Sequence, residues 1–231
     1  MNKSALAVMT AAAMSMASSA AMAEDSVVAK VGAEAWWVDT EVNEIRRDKE
    51  VTPSVYAAIE HDIKYVPNAR IRTASVDNEF MAFDKLDLTL YYQVMEHDLL
   101  HFDAGITFSD LSNTKYVNAD TPNVTKDFNE LLWAFYGYAE ITVPDTNFDI
   151  IGEMNFGDSS GIKSTDLMAG MQYRLPLNNS TVTFRGGYRV IDLESDEFKP
   201  TLEDSTLGKP FIMANGFFPV SYTHLTLPTS G

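Results

Sequence analysis

The 231-residue chain has no cysteine, four histidines, and seventeen lysines and arginines against thirty-three acids. Without cysteine there are no disulfides and no thiolate metal sites. That also suits a chain that crosses the periplasm unfolded. The scarcity of cations, with a formal net charge of −16, excludes the basic patch that a nucleic-acid surface needs. It leaves cations, basic peptides or a bilayer carrying bridging metal ions as neighbours. No internal segment approaches the roughly 18 consecutive apolar residues of a membrane helix. No long block of like charge marks disorder either.

The N-terminus predicts export. Lys3 supplies a positive start, Ala5–Met16 an apolar run, and Ala21-Met22-Ala23 a small-x-small cleavage site. Residues 1–23 therefore read as a cleaved signal peptide, with the mature chain starting near Glu24. Export without a helical span leaves a periplasmic, secreted or outer-membrane protein.

The mature chain alternates. In Lys85–Ser109, Leu86, Leu88, Leu90, Tyr92 and Val94 fall on one face, with Asp87, Thr89, Tyr91 and Gln93 on the other. After Glu96-His97-Asp98, Leu100, Phe102, Ala104, Ile106 and Phe108 oppose His101, Asp103, Gly105, Thr107 and Ser109. Successive side chains of a strand point to opposite faces, so this is a hairpin with one apolar and one polar wall. Each arm has about the length of a transmembrane β-strand. The same pattern covers Val27–Trp37, Ser54–Asp62, Ala69–Asp77, Leu131–Val143, Phe148–Gly157, Thr165–Arg174, Thr181–Asp192 and Phe211–Phe218. No convincing helix intervenes, which predicts an all-β antiparallel protein.

Connection lengths also differ. Long polar stretches follow Trp37, Ser109 and Asp192, covering Asp39–Thr52, Asp110–Asn129 and Leu193–Pro210. Tight turns sit at Val66-Pro67, His97-Asp98, Pro144-Asp145 and Pro176-Leu177. Short turns at one end and long loops at the other are characteristic of a transmembrane barrel. The count is about ten strands, or eight if Ala69–Asp77 and Ser164–Arg174 belong to loops.

A soluble core would leave the second face rich in Lys and Glu. Instead it carries Tyr, Gly, Ser and Thr with isolated charges of both signs. These are Lys30, Glu34, Glu60, Arg70, Arg72, Asp87, Asp103, Glu140, Glu153, Asp166, Arg174, Arg185 and Arg189. Inside a narrow barrel such charges must pair, because a lone buried charge is costly. They read as a lumenal polar network of structural character, in which Arg70, Arg72 or another lumenal base offsets Asp87 and Asp103. Trp37, Tyr92, Phe108, Trp133, Phe148, Phe156 and Tyr173 suit interfacial girdles. The predicted fold is a transmembrane antiparallel up-and-down β-barrel over residues 24–218.

The stretches VGAEAWWVDTEVNEIRRD, SVYAAIEHDIKYVPNARIR, FDKLDLTLYYQVMEHDLLHFDAGI, YGYAEI and FRGGYRVID cover most of the mature chain. In this order they resemble a family of small proteobacterial outer-membrane β-barrel proteins, the GlyGly outer membrane protein family. Gly186-Gly187 is the one adjacent glycine pair. The resemblance implies the outer membrane of a Gram-negative bacterium and the barrel architecture. It brings no activity and no catalytic residues.

The tail at residues 219–231, PVSYTHLTLPTSG, resembles translated sequencing-adapter sequence fused to a truncated protein. On that reading it is non-native, the last strand is cut short, and Pro219 cannot donate a ladder hydrogen bond.

No reading of chemistry survives inspection of the pattern. His97 and His101 with Glu96, Asp98 and Asp103 could suggest a metal site, but His97 and Glu96 sit in the turn. A protease rim fails on position, since the histidines lie at the short-turn end. A lipid hydrolase needs a serine activated by a histidine, and no G-x-S-x-G occurs. No cofactor is implied. The acids of the long stretches (Asp39, Glu41, Glu44, Asp48 and Glu50; Glu194, Asp196, Glu197, Glu203 and Asp204) could meet divalent cations that bridge lipopolysaccharide.

The expectation is a monomeric, non-enzymatic outer-membrane barrel with a side-chain-plugged lumen and a structural or surface-interaction role. Its partners are outer-membrane lipid, lipopolysaccharide and the barrel assembly machinery, with no nucleic acid. A narrow channel for small solutes is the alternative, and an outer-membrane hydrolase the second.

Overall fold

A computed structural model describes residues 27–42, 45–117, 125–177, 180–198 and 211–226. The signal-peptide reading of residues 1–23 lies outside them. In chain order the strands are β1 Val27–Val42, β2 Ile45–His61, β3 Asn68–Asp77, β4 Met81–His97 and β5 Leu100–Val117. There follow a two-residue β6, Thr125–Lys126, then β7 Glu130–Thr142, β8 Phe148–Ser159, β9 Ile162–Leu177, β10 Ser180–Ser195 and β11 Phe211–Thr226. A single 3₁₀ turn, Asp196–Phe198, follows β10.

Each long strand pairs antiparallel with its neighbours in sequence, and β1 pairs with β11. The result is a closed ten-stranded up-and-down barrel. β3 and β9 are both full members, so the eight-strand count does not hold.

The three stretches expected as loops each begin in strand, and the first is strand over most of its length. β1 and β2 stay paired through Asp39↔Lys49 to Val42↔Ile45. β5 reaches Val117 and β10 reaches Ser195. The end of the barrel opposite the start of β1, here the upper end, also has tight turns of its own. Ser160 and Gly161 both take positive φ, 52° and 75°, as a two-residue hairpin loop requires. At Asn78–Phe80, the Asn78 side-chain oxygen accepts from the backbone N–H of Phe80 and of Met81. The contrast between long and short connections is therefore weaker than the sequence suggested.

What separates the two ends is an inversion of the alternation. Along the lower part of β1, Val31, Ala33, Ala35 and Trp37 point outward and Lys30 and Glu34 inward. Above Trp37 the polarity exchanges: Asp39 and Glu41 lie outward, while Val38 and Val42 are buried inside. On β5 the outward row Ile106, Phe108 gives way to Asp110, and the inward row Thr107, Ser109 gives way to Leu111. On β10, outward Phe184 and Tyr188 precede Asp192 and Glu194, while inward Arg189 precedes Ile191 and Leu193. β3, β4 and β9 change in the same sense, at Ser75–Asp77, Asp84 and Lys163. The barrel thus has a lower band that is apolar outside and charged inside, and an upper part with ordinary soluble polarity. Charged residues of the upper strands were read as loop because they break a pattern that belongs only to the lower band.

The lower band exposes large apolar side chains on all sides, among them Ile71, Leu88, Ile106, Ile150 and Met171. Its borders carry aromatic contacts. Phe148 lies against Tyr173 near the lower edge, and Trp133 meets Phe135, and Tyr188 meets Phe217, near the upper one.

Two places in the wall are irregular. β2 and β3 share a ladder of only Tyr56↔Arg72 to Ile59↔Ala69. Above it hydroxyls bridge the strands: Thr52 donates to the Ser75 carbonyl, and Ser54 to that of Thr73. β11 continues through Pro219 to Thr226, so the tail residues build the lower half of a full-length closing strand where a short one was expected. The β1–β11 ladder lacks the two pairs between Trp37↔Phe217 and Glu34↔Val220, beside Pro219, while its register is the same on either side.

Gly170 and Gly187 face each other across β9 and β10. A Cβ on Gly187 would press into the Ala169 carbonyl, and one on Gly170 into that of Gly186. Gly187→Val should therefore lower stability by about 1–3 kcal/mol, as overpacking does. Denaturant unfolding of the refolded barrel, followed by tryptophan fluorescence, would measure it.

Candidate functional site

The lumen is layered. At the upper end it is apolar: Val38, Val76, Phe83, Leu111, Leu132, Ile162, Ile191, Leu193 and Ile212 are buried there. The 3₁₀ turn seats Phe198 on Tyr116 and Phe128, with ring centroids 5.2 Å apart in each case. Tyr116 donates to the Phe198 carbonyl at 2.8 Å. This apolar cap had no counterpart in the sequence reading.

Beneath it lies a layer of ion pairs. Asp166 accepts from Arg189 at 2.8 and 2.9 Å, and sits 3.1 Å from Lys85 and 3.3 Å from Arg72. Asp87 takes Lys85 at 2.6 Å, Ser109 at 2.6 Å and Arg72 at 3.4 Å. Glu153 receives a two-pronged contact from Arg70 at 2.7 and 2.9 Å and a further one from Arg72 at 2.9 Å. β3 and β8 are not neighbours in the wall, so Arg70–Glu153 spans the interior. Thr107 on β5 likewise reaches Asn155 on β8 at 2.7 Å. Arg189 lies over the Trp36 ring and Arg70 over that of Tyr136. Glu34, Arg72 and Arg189, each with one polar atom lacking a protein partner, line a cavity of about 30 Å³, the size of a single water.

Below this layer the lumen widens into a bowl of about 270 Å³. Lys30 pairs with Glu60 at 2.6 Å, and Tyr91 donates to Glu60 at 2.8 Å. Arg185 reaches Gln172 and the Tyr138 hydroxyl, each at 2.8 Å. Arg174 pairs with Asp149 at 2.6 Å and stands 4.0 Å from Glu140. Glu140 also accepts from Gln172 at 2.7 Å. His101 sits between two carboxylates, its Nδ1 2.5 Å from Glu96 and its Nε2 2.9 Å from Asp103.

All thirteen charged residues singled out from the sequence thus line the interior, seven in or beside the middle layer and six around the bowl. The offset for Asp87 comes from Lys85 and Arg72, and the partner of Asp103 is His101, not an arginine. Lys85, Asp149 and Gln172 were missed as members of the network. Their parity gave the signal, since Lys85 shares a face with Asp87, Asp149 with Glu153, and Gln172 with Asp166. Among the described residues no group of three or more His or acidic residues is placed to hold a metal ion. Of the upper acids, Glu44, Glu203 and Asp204 lie outside the described residues.

No family model matches the chain, and no curated protein matches it. Solved structures that align with it include two outer membrane proteins and a transporter. The outer membrane protease OmpT from Escherichia coli aligns over 88% of this chain and 95% of its own, at 9% identity and a TM-score of 0.30. The toluene transporter TodX of Pseudomonas putida aligns over 93% and 92%, at 8% identity and 0.35. A loop-deletion form of OmpT, an outer membrane protein of Vibrio cholerae, covers 87% and 100% at 8% identity and 0.24. At these scores the architecture rests on the strand pairing above.

Proposed function

We propose that the chain is an outer-membrane barrel of a Gram-negative bacterium, closed by its own side chains, with a structural or surface-interaction role and no catalysis. The observation that carries this reading is the layer of ion pairs across the lumen beneath an apolar cap. The lower band, apolar outside and charged inside, suits lipid, where every strand must be paired and no edge left open. On this reading the lower end faces the periplasm and the upper strands rise from the outer leaflet. The outward acids just above the aromatic border, Asp39, Glu41, Asp110 and Glu194, suit a leaflet whose phosphates are bridged by divalent cations, so lipopolysaccharide is the proposed lateral neighbour. The protein inserts as a monomer through the barrel assembly machinery.

Against a hydrolase with a serine nucleophile stand the contacts of His101, which faces two carboxylates and no hydroxyl. Against a channel stands the ion-pair layer. In planar bilayers the refolded protein should give no unit conductance. Reproducible single-channel steps would overturn the sealed barrel in favour of a narrow solute channel.

A further inference from the structure

The bowl beneath the ion-pair layer is lined by charges of both signs, the Lys30–Glu60 pair among them. Following the strands in their order, Arg174 on β9, Arg185 on β10 and Lys30 on β1 hold the cations of one arc. Glu96 on β4, Asp103 on β5 and Glu140 on β7 place carboxylates on the facing arc, where Arg70 on β3 and His101 on β5 also stand. Neighbouring groups are partnered locally, but the side chains at the mouth remain in contact with solvent. Arg174 is 39% exposed, Lys30 25% and Glu96 63%. The volume is close to the lower end of small-molecule pockets.

We infer that this bowl is a binding site for a small dipolar solute, one carrying a carboxylate and an ammonium group, such as a free amino acid or a short peptide. A simple anion would meet the acidic arc as well as the basic one, and a simple cation the reverse. A molecule with both charges engages the two arcs together, each through charge-assisted hydrogen bonds. Two of the four tyrosines that line the bowl, Tyr136 and Tyr138, already carry a guanidinium on a ring face, which leaves a sugar less to stack on. Arg70 lies over Tyr136 at 4.9 Å and Arg185 over Tyr138 at 5.4 Å. The floor is blind, so the ligand enters and leaves by the same mouth. In the proposed orientation that mouth opens to the periplasm.

The site rests on the sealed-barrel reading only for its blind floor. Conductance tests the seal and titration tests the bowl, so the two can fail separately. The experiment is calorimetric titration of the full chain, refolded in detergent micelles, with the dipeptide Ala-Ala. Saturable binding is expected, lost when the amino group is acetylated or the carboxylate amidated. Arg174→Gln and Glu96→Gln should each weaken it about tenfold, the worth of one charge-assisted contact. Glu96 is exposed at the end of β4, so its variant keeps the test valid if Arg174→Gln does not refold. Absence of saturation by Ala-Ala would overturn the inference. So would equal binding of acetate, methylamine or the doubly blocked dipeptide.

Discussion

Replacing Asp166 by alanine should destabilise the barrel more than other single changes in the lumen, by about 3–5 kcal/mol. The reason is its company. Three buried cations, Arg72, Lys85 and Arg189, lie within 3.3 Å of its two oxygens. Removing the carboxylate leaves Arg189, which is 1% exposed, with no carboxylate partner among its contacts. An unpaired buried charge costs several times what a well-made pair contributes. The double change Asp166→Leu with Arg189→Met should recover part of the loss, because a buried pair replaced by apolar groups of similar size is often neutral. Urea unfolding from lipid vesicles measures both. A loss below about 1 kcal/mol for Asp166→Ala would show that the layer contributes little to stability.

The second large effect concerns the outer wall and is set by height along the strand. Ile106→Arg, in the middle of the apolar band on β5, should cost about 2–4 kcal/mol in a bilayer. Glu41→Arg, outward on β1 above the inversion, should change stability by no more than about 0.5 kcal/mol, as an ordinary surface substitution does. Vesicle unfolding compares the two directly. Equal costs at both heights would remove the case for lipid around the lower band.

The sequence revealed the strands of the lower band well, because there an apolar exterior and a charged interior impose opposite chemistry on alternate residues. Leu86, Leu88 and Leu90 against Asp87 and Thr89 can be read without any tertiary information. The upper strands were hidden for a physical reason. Asp39, Glu41 and Asp110 are charged because they stand in water, and Val38, Val42 and Leu111 are apolar because the cap is there. The period of two continues, but its phase reverses, and a reversed phase resembles the end of a strand. The charged network was legible by residue type and parity, though its pairing was not. That Arg70 meets Glu153 depends on which strands oppose each other across the interior, and the alternation along a strand carries no such information. Lys85 was passed over because it opens the hairpin, at the level where polarity changes.

The ladder between β1 and β11 joins the first and last strands of the wall, and this sets the timing of assembly. Eight of the ten long strands pair on both sides with the long strands next to them in the chain, but one edge of β1 waits for a strand that starts at Phe211. Until then one edge of β1 is an open template for strand addition by a foreign chain. Closure over so long a separation is slow, since the loop entropy must be overcome before any contact repays it. The nascent barrel therefore keeps that edge open until β11 arrives. Variants in Phe211–Phe218 should delay closure while leaving the earlier hairpins formed.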